Sequence, residues 1–116
     1  MCGIAGVFRL TGRPGPEDAA AVLRMLDAQH HRGPDDWGLL VPAYPEFTAI
    51  TKDLDPDRVS RYAGDGPGVT LGSRRLAIVD LSARGRMPMG DREGRAWITH
   101  NGGVYHHRDL RAALAA

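Results

Sequence analysis

Apolar and small residues run from Gly3 to Phe8 (GIAGVF) and stop at Thr11-Gly12-Arg13-Pro14-Gly15-Pro16, a turn-forming stretch. The pattern predicts a first strand with Cys2 at its mouth. The period then changes. Across EDAAAVLRMLDAQ, Glu17 to Gln29, the residues Ala19, Val22, Leu23 and Leu26 share one face, acids fill the first turn and Pro16 stands near the start. These features predict a helix. HHRGPDDWG is predicted as a loop, because Gly33-Pro34 cannot continue a helix and Asp35-Asp36 suit turns. Short apolar segments at Trp37–Val41, Phe47–Thr51, Val69–Ser73, Leu76–Leu81 and Ala96–Thr99 predict strands. Their close spacing favours antiparallel pairing. Pro56 to Arg61 suggests one helical turn, Ala63 to Gly68 a flexible turn, and Arg108 to Ala116 a closing helix. The class is α+β, without repeats or a domain-splitting linker.

Composition narrows the function classes. A chain of 116 residues makes at most one domain, and can bury roughly two-thirds of its unfolded surface. The formal net charge is +1, so no overall field draws the protein to nucleic acid or anionic lipid. One cysteine excludes an internal disulfide and a CxxC pair. No apolar run approaches the ~20 residues of a membrane span, and the start lacks signal-peptide regions. A cytoplasmic location, without membrane or nucleic-acid partners, is expected. His30-His31 and His106-His107 lack acidic or cysteine partners at metal-ligand spacing, so no metal is expected.

The position of Cys2 has chemical content. Removal of Met1, expected before a small residue, would place a free α-amine and a thiol on one residue. Such an amine has an ordinary pKa of about 7.7–8.0, so much of it is available as a base near neutrality. Thiol and amine together make a nucleophile with its own base.

Three stretches carry a family likeness: MCGIAGVF at 1–8, HRGPDDWG at 31–38, and LGSRRLAIVDLSARGRMPM at 71–89 followed by HNGGVYHHRDLRAAL at 100–114. In letters, order and spacing the chain resembles the class II glutamine amidotransferases. Within them it resembles the glutaminase domain of the asparagine synthetases. The resemblance implies an N-terminal-nucleophile fold, a four-layer αββα sandwich of antiparallel sheets, of which residues 1–116 would hold the N-terminal part. It implies glutamine as substrate and Cys2 as the nucleophile, with Asn101 and Gly102 as the oxyanion hole. It further implies Arg75 as the ligand of the substrate α-carboxylate, with Leu76, Ile78, Val79 and Gly103 lining the pocket. Spacing alone leaves Arg74 and Arg75 as alternatives, because strand alternation admits only one of them to a pocket. Arg32 and Asp35 are read as ordering a loop near the site.

The chain also departs from the family pattern. Gly103 stands where the family usually has Glu, His106 where it commonly has Asn, and the stretch between Val41 and Gly72 is longer than usual. The family domain continues past the position of Ala116 and is joined to a synthetase domain using ATP and magnesium. The present chain is expected to need no cofactor of its own, with a synthetase domain or chain accepting the ammonia. A partly covered sheet would favour a homodimer. The alternative is a non-catalytic remnant or binding subunit of the same fold.

Overall fold

The computed structural model describes residues 1–12, 14–43, 46–51 and 68–115. Strand β1 (Gly3–Arg9) leads into helix α1 (Pro16–Ala28), then β2 (Asp36–Ala43), β3 (Glu46–Thr51) and β4 (Gly68–Arg75). These four strands form one antiparallel sheet in the order β1-β4-β2-β3. The late strand β4 is therefore inserted between β1 and β2, which brings Arg74 opposite both Gly3 and Trp37. A short hairpin of β5 (Met89–Gly90) and β6 (Trp97–Ile98) and a final helix α2 (His107–Leu114) complete the described chain. Among the described residues the architecture is mixed, with two antiparallel sheets and two helices.

The apolar stripe of α1 explains the core. Ala19, Val22 and Leu26 recur at spacings of three and four, so they share the face that meets the sheet. There they pack with Ala5, Leu39 and Val41, flanked by Val7, Leu23 and Trp37. Each buried Val or Leu contributes about 1.5–3 kcal/mol relative to exposure. Close packing depends on Gly72: a Cβ there would lie 2.6 Å from Val22 Cγ1 and 2.8 Å from Leu26 Cδ1. Alternation along β1 turns Ile4 and Phe8 the other way, where both are exposed.

Both ends of α1 are tied to the sheet. At the start, Gly15 N–H donates to Asp18 Oδ2 at 3.0 Å, satisfying a donor just outside the first turn. Arg9 of β1 pairs with the same carboxylate at 2.6 Å and with Glu17 at 2.8 Å. That guanidinium, with help from the Gly15 N–H, holds the Asp18 carboxyl below its ordinary pKa. At the other end, Arg74 Nε donates to Leu26 O at 3.0 Å and Nη2 to Asp27 Oδ1 at 3.0 Å. A cation at a helix C-terminus also complements the helix dipole.

Several expected elements shift. The helix expected over 17–29 is α1, and the closing helix is α2, though α2 buries none of its residues. The strand expected over Ala96–Thr99 is reduced to Trp97–Ile98. The expected loop at 30–38 contains a 3-10 turn, His30–Arg32, and yields to β2 at Asp36. The expected strand over Leu76–Leu81 is absent, because β4 ends at Arg75. Its apolar run was misleading: Ile78 and Val79 are 74% and 97% exposed. The chain instead folds back, with the Arg75 guanidinium donating to the carbonyls of Asp80 and Ser82. The helical turn expected at 56–61, and residues 63–67 of the expected turn, lie outside the described residues. Gly68 opens β4. Of the layers expected from an αββα sandwich, the described residues show α1 packed on the four-stranded sheet.

Candidate active site

Cys2 immediately precedes β1, so the β1–β4 register carries its side chain to the end of β4. There Leu76 N–H points at Cys2 Sγ with a separation of 3.4 Å, and the sulfur lies 3.9 Å from Leu76 O. The thiol is half-buried and is in no disulfide. Its carbonyl oxygen accepts from Arg32 Nε at 3.2 Å and Asn101 Nδ2 at 2.9 Å. Two donors match the two lone pairs of a carbonyl oxygen. Segments around residues 32, 76 and 101 thus converge on one residue.

A cleft of about 710 Å³ opens beside this sulfur. All eight residues expected to form the site line it: Cys2, Arg75, Leu76, Ile78, Val79, Asn101, Gly102 and Gly103. Leu76, Ile78 and Val79 do so from the irregular segment after β4. Asn101, Gly102 and Gly103 come from the exposed segment between β6 and α2.

Strand alternation decides between the two arginines. Arg74, 8% exposed, faces α1, whereas Arg75 projects from the opposite face into the cleft. The Arg75 guanidinium rests on the turn after β4, with Nη1 donating to Ser82 O at 2.7 Å and Nη2 to Asp80 O. Two of its five N–H donors are thereby used and three remain. The loop at 30–38 supports the same wall. Asp35 Oδ2 accepts from Ala77 N–H at 2.8 Å, and Arg86 pairs with Asp36 at 2.7 Å. Arg32 and Asp35 each hold backbone that borders the cleft.

Sequence reasoning missed other lining residues, among them Asp80, Gly85, Met87, His100 and Tyr105. Asp80 is the one acid among the described residues lining the cleft. Hydrogen bonds from Ser82 hold its carboxyl below the ordinary pKa. Gly85 belongs to the motif LSARGRMPM and Asp80 is its preceding residue, and the signal was a Ser and a Gly, Ser82 and Gly85, just past the run Leu76–Leu81 that suggested a strand. At Gly103 a Cβ would meet nothing within 4 Å, so the position opens on free space. Among the described residues no group of three or more His, Cys, Asp or Glu side chains stands where it could hold a metal ion. No described helix is long and apolar enough to cross a membrane.

Comparison with known proteins bears on this arrangement. The family described as "Glutamine amidotransferase domain" matches residues 45–116, more than half of the chain. Asparagine synthetase (glutamine-hydrolyzing) 2 of Bacillus subtilis is 30% identical over 98% of this chain and 12% of its own length. Asparagine synthetase (glutamine-hydrolyzing) 1 of the same organism is 26% identical over the whole chain and 15% of its own length. Amidase chry2 of Gibberella zeae is 38% identical over 52% of this chain and 9% of its own length. The chain therefore spans well under a quarter of the length of these relatives. No solved structure matches it. The family match and the relatives together place the chain in the glutamine amidotransferase domain family, in the branch of the asparagine synthetases.

Proposed function

We propose that this chain hydrolyses the side-chain amide of glutamine, with Cys2 as nucleophile. The observation that carries the reading is the meeting of one thiol, one guanidinium with N–H donors to spare and one carboxamide around a single cleft, at residues 2, 75 and 101. Glutamine carries complementary groups: an amide carbon for the sulfur and a carboxylate for the guanidinium. Its length separates the two.

In the proposed reaction, removal of Met1 frees the Cys2 α-amine. The amine takes the thiol proton, and Sγ adds to the amide carbon. The carbonyl oxygen gains the negative charge, and donors preorganised around it stabilise that charge. Asn101 Nδ2 gives one N–H to Cys2 O, leaving its second for the oxyanion, with the Gly102 N–H as its companion. The carbon–nitrogen bond then breaks and nitrogen departs as ammonia with the proton returned from the amine. Water attacks the resulting thioester, releasing glutamate and restoring the thiol. Arg75 holds the substrate carboxylate throughout, and Leu76, Ile78, Val79 and Gly103 border the substrate. The ammonia passes to a synthetase domain or chain, where the ATP-dependent step belongs.

Intact mass after treatment with 6-diazo-5-oxo-L-norleucine, a glutamine-like electrophile, tests this directly. The expected product lacks Met1 and carries one adduct, which excess glutamine suppresses and Cys2→Ala abolishes. Retained Met1, or labelling indifferent to glutamine, would favour a non-catalytic chain of the same fold.

A further inference from the structure

The cleft contains an arginine whose placement needs an explanation. An arginine side chain has many rotamers to lose, and it holds a carboxylate best when that freedom is already spent. Arg75 is restrained by the turn that follows it. Its Nη1 and Nη2 donate to the carbonyls of Ser82 and Asp80.

The turn is itself internally bonded. Asp80 Oδ1 accepts from Ser82 N–H at 2.8 Å, Ser82 Oγ from Arg84 N–H at 3.3 Å, and Ser82 O from Gly85 N–H at 3.4 Å. The Asp80 carboxylate, kept ionised by the Ser82 bonds, is suited to hold it near neutral pH. On the remaining side stands Gly85. A Cβ there would lie 2.8 Å from Arg75 Cζ and 3.3 Å from Nε, too close for the guanidinium to stay. Contacts near 3 Å or below require something to move, and here the mobile partner is the arginine fork rather than backbone.

We infer that Gly85 is a positioning residue: its missing side chain lets the Asp80–Gly85 turn seat the Arg75 guanidinium, and this seat sets the preference for amides that carry a carboxylate. The inference rests on the reading of glutamine as substrate and adds a determinant of its selectivity. Gly85 touches no reacting atom. It acts through Arg75, whose three remaining N–H donors face a ligand only while the other two are held.

Two labelling reagents test the inference in the 116-residue chain. One is 6-diazo-5-oxo-L-norleucine, which carries the amino acid carboxylate; the other is iodoacetamide, which carries none. Gly85→Ala is expected to raise the half-saturating concentration of the first by about tenfold or more, the scale of effect that small misplacements produce. The rate with iodoacetamide stays unchanged. In an Arg75→Lys background, Gly85→Ala is expected to add nothing, since the two act as one unit. Equal loss with both reagents, no loss with either, or an additive double variant would overturn the inference. If the parent chain shows no saturable labelling at all, the glutaminase reading fails. The seat itself is then judged from arginine side-chain NMR: separate, slowly exchanging Nη signals for Arg75 that collapse in Gly85→Ala support it, and unchanged signals overturn it.

Discussion

Arg74 and Arg75, adjacent in sequence, leave β4 on opposite faces, one closing the C-terminus of α1 and the other entering the cleft beside Cys2. Their substitutions should therefore separate stability from binding. Arg74→Ala strips partners from Leu26 O and Asp27 and is expected to cost about 1–3 kcal/mol, read as a lower urea midpoint. Arg75→Ala is expected to leave that midpoint nearly unchanged while raising KM for glutamine about 10- to 100-fold, the worth of hydrogen bonds to a charged group. Equal effects on both quantities from either variant would contradict the division.

Asn101 offers a second separation. If its free N–H meets the oxyanion, the donor acts only as charge develops. Asn101→Ala should then lower kcat by about 10²–10³ with little change in KM. Steady-state ammonia release measures both. A rise in KM alone would assign Asn101 to substrate binding.

Gly103 invites the opposite kind of change, a gain. The open space around it admits a longer side chain, and the cleft has only Asp80 as an acid among its described lining residues. Gly103→Glu is expected to lower KM for glutamine by up to about fivefold through an added partner for the substrate ammonium, as befits an exposed ion pair. The gain should shrink in high salt. Salt-independent tightening would point to packing instead of charge.

Acid should loosen the start of α1. Asp18 has a lowered pKa in the folded chain, chiefly through Arg9, so its ionised form contributes stability above the ordinary carboxylate pKa of about 3.9. That contribution is lost as pH falls from there through the lowered folded value. Thermal melts of the parent chain and Asp18→Asn should differ near neutral pH and draw together only as pH falls from about 4 through the lowered folded value. A gap that persists in stronger acid would mean that shape, not charge, holds the helix start.

Packing between α1 and β4 makes a paired test. Leu26, 1% exposed, should cost about 2–5 kcal/mol when truncated to Ala. Gly72→Val should cost about 1–3 kcal/mol by overfilling the same contact. Denaturant midpoints check both, and combining the two should recover part of the loss because the new methyl groups enter the vacated space. Strict additivity would show that the sites do not share that space.

Much of this was legible in the residues. Ala19, Val22 and Leu26 announced a helix face because the period of 3.6 survives any packing, and the alternation of Arg74 with Arg75 already required opposite faces. Motif likeness then selected Cys2, Arg75 and Asn101. The segment after β4 was not legible. Leu76, Ile78, Val79 and Leu81 have the composition of a strand, but the backbone of their neighbours Ala77, Asp80 and Ser82 is claimed by Asp35 and by an arginine guanidinium, contacts that local pattern does not encode. Gly85 was missed for the same reason. Its importance depends on a neighbour ten positions away rather than on its own turn.

The carbonyl of Cys2 collects its donors from Arg32 and Asn101, separated from it by 30 and 99 positions. Such distant closures are entropically costly and come late in folding. The cleft consequently works as a timer: during refolding, helical signal from α1 should recover before Cys2 gains glutamine-protectable labelling, and the lag between them measures how long the chain takes to draw its two ends together.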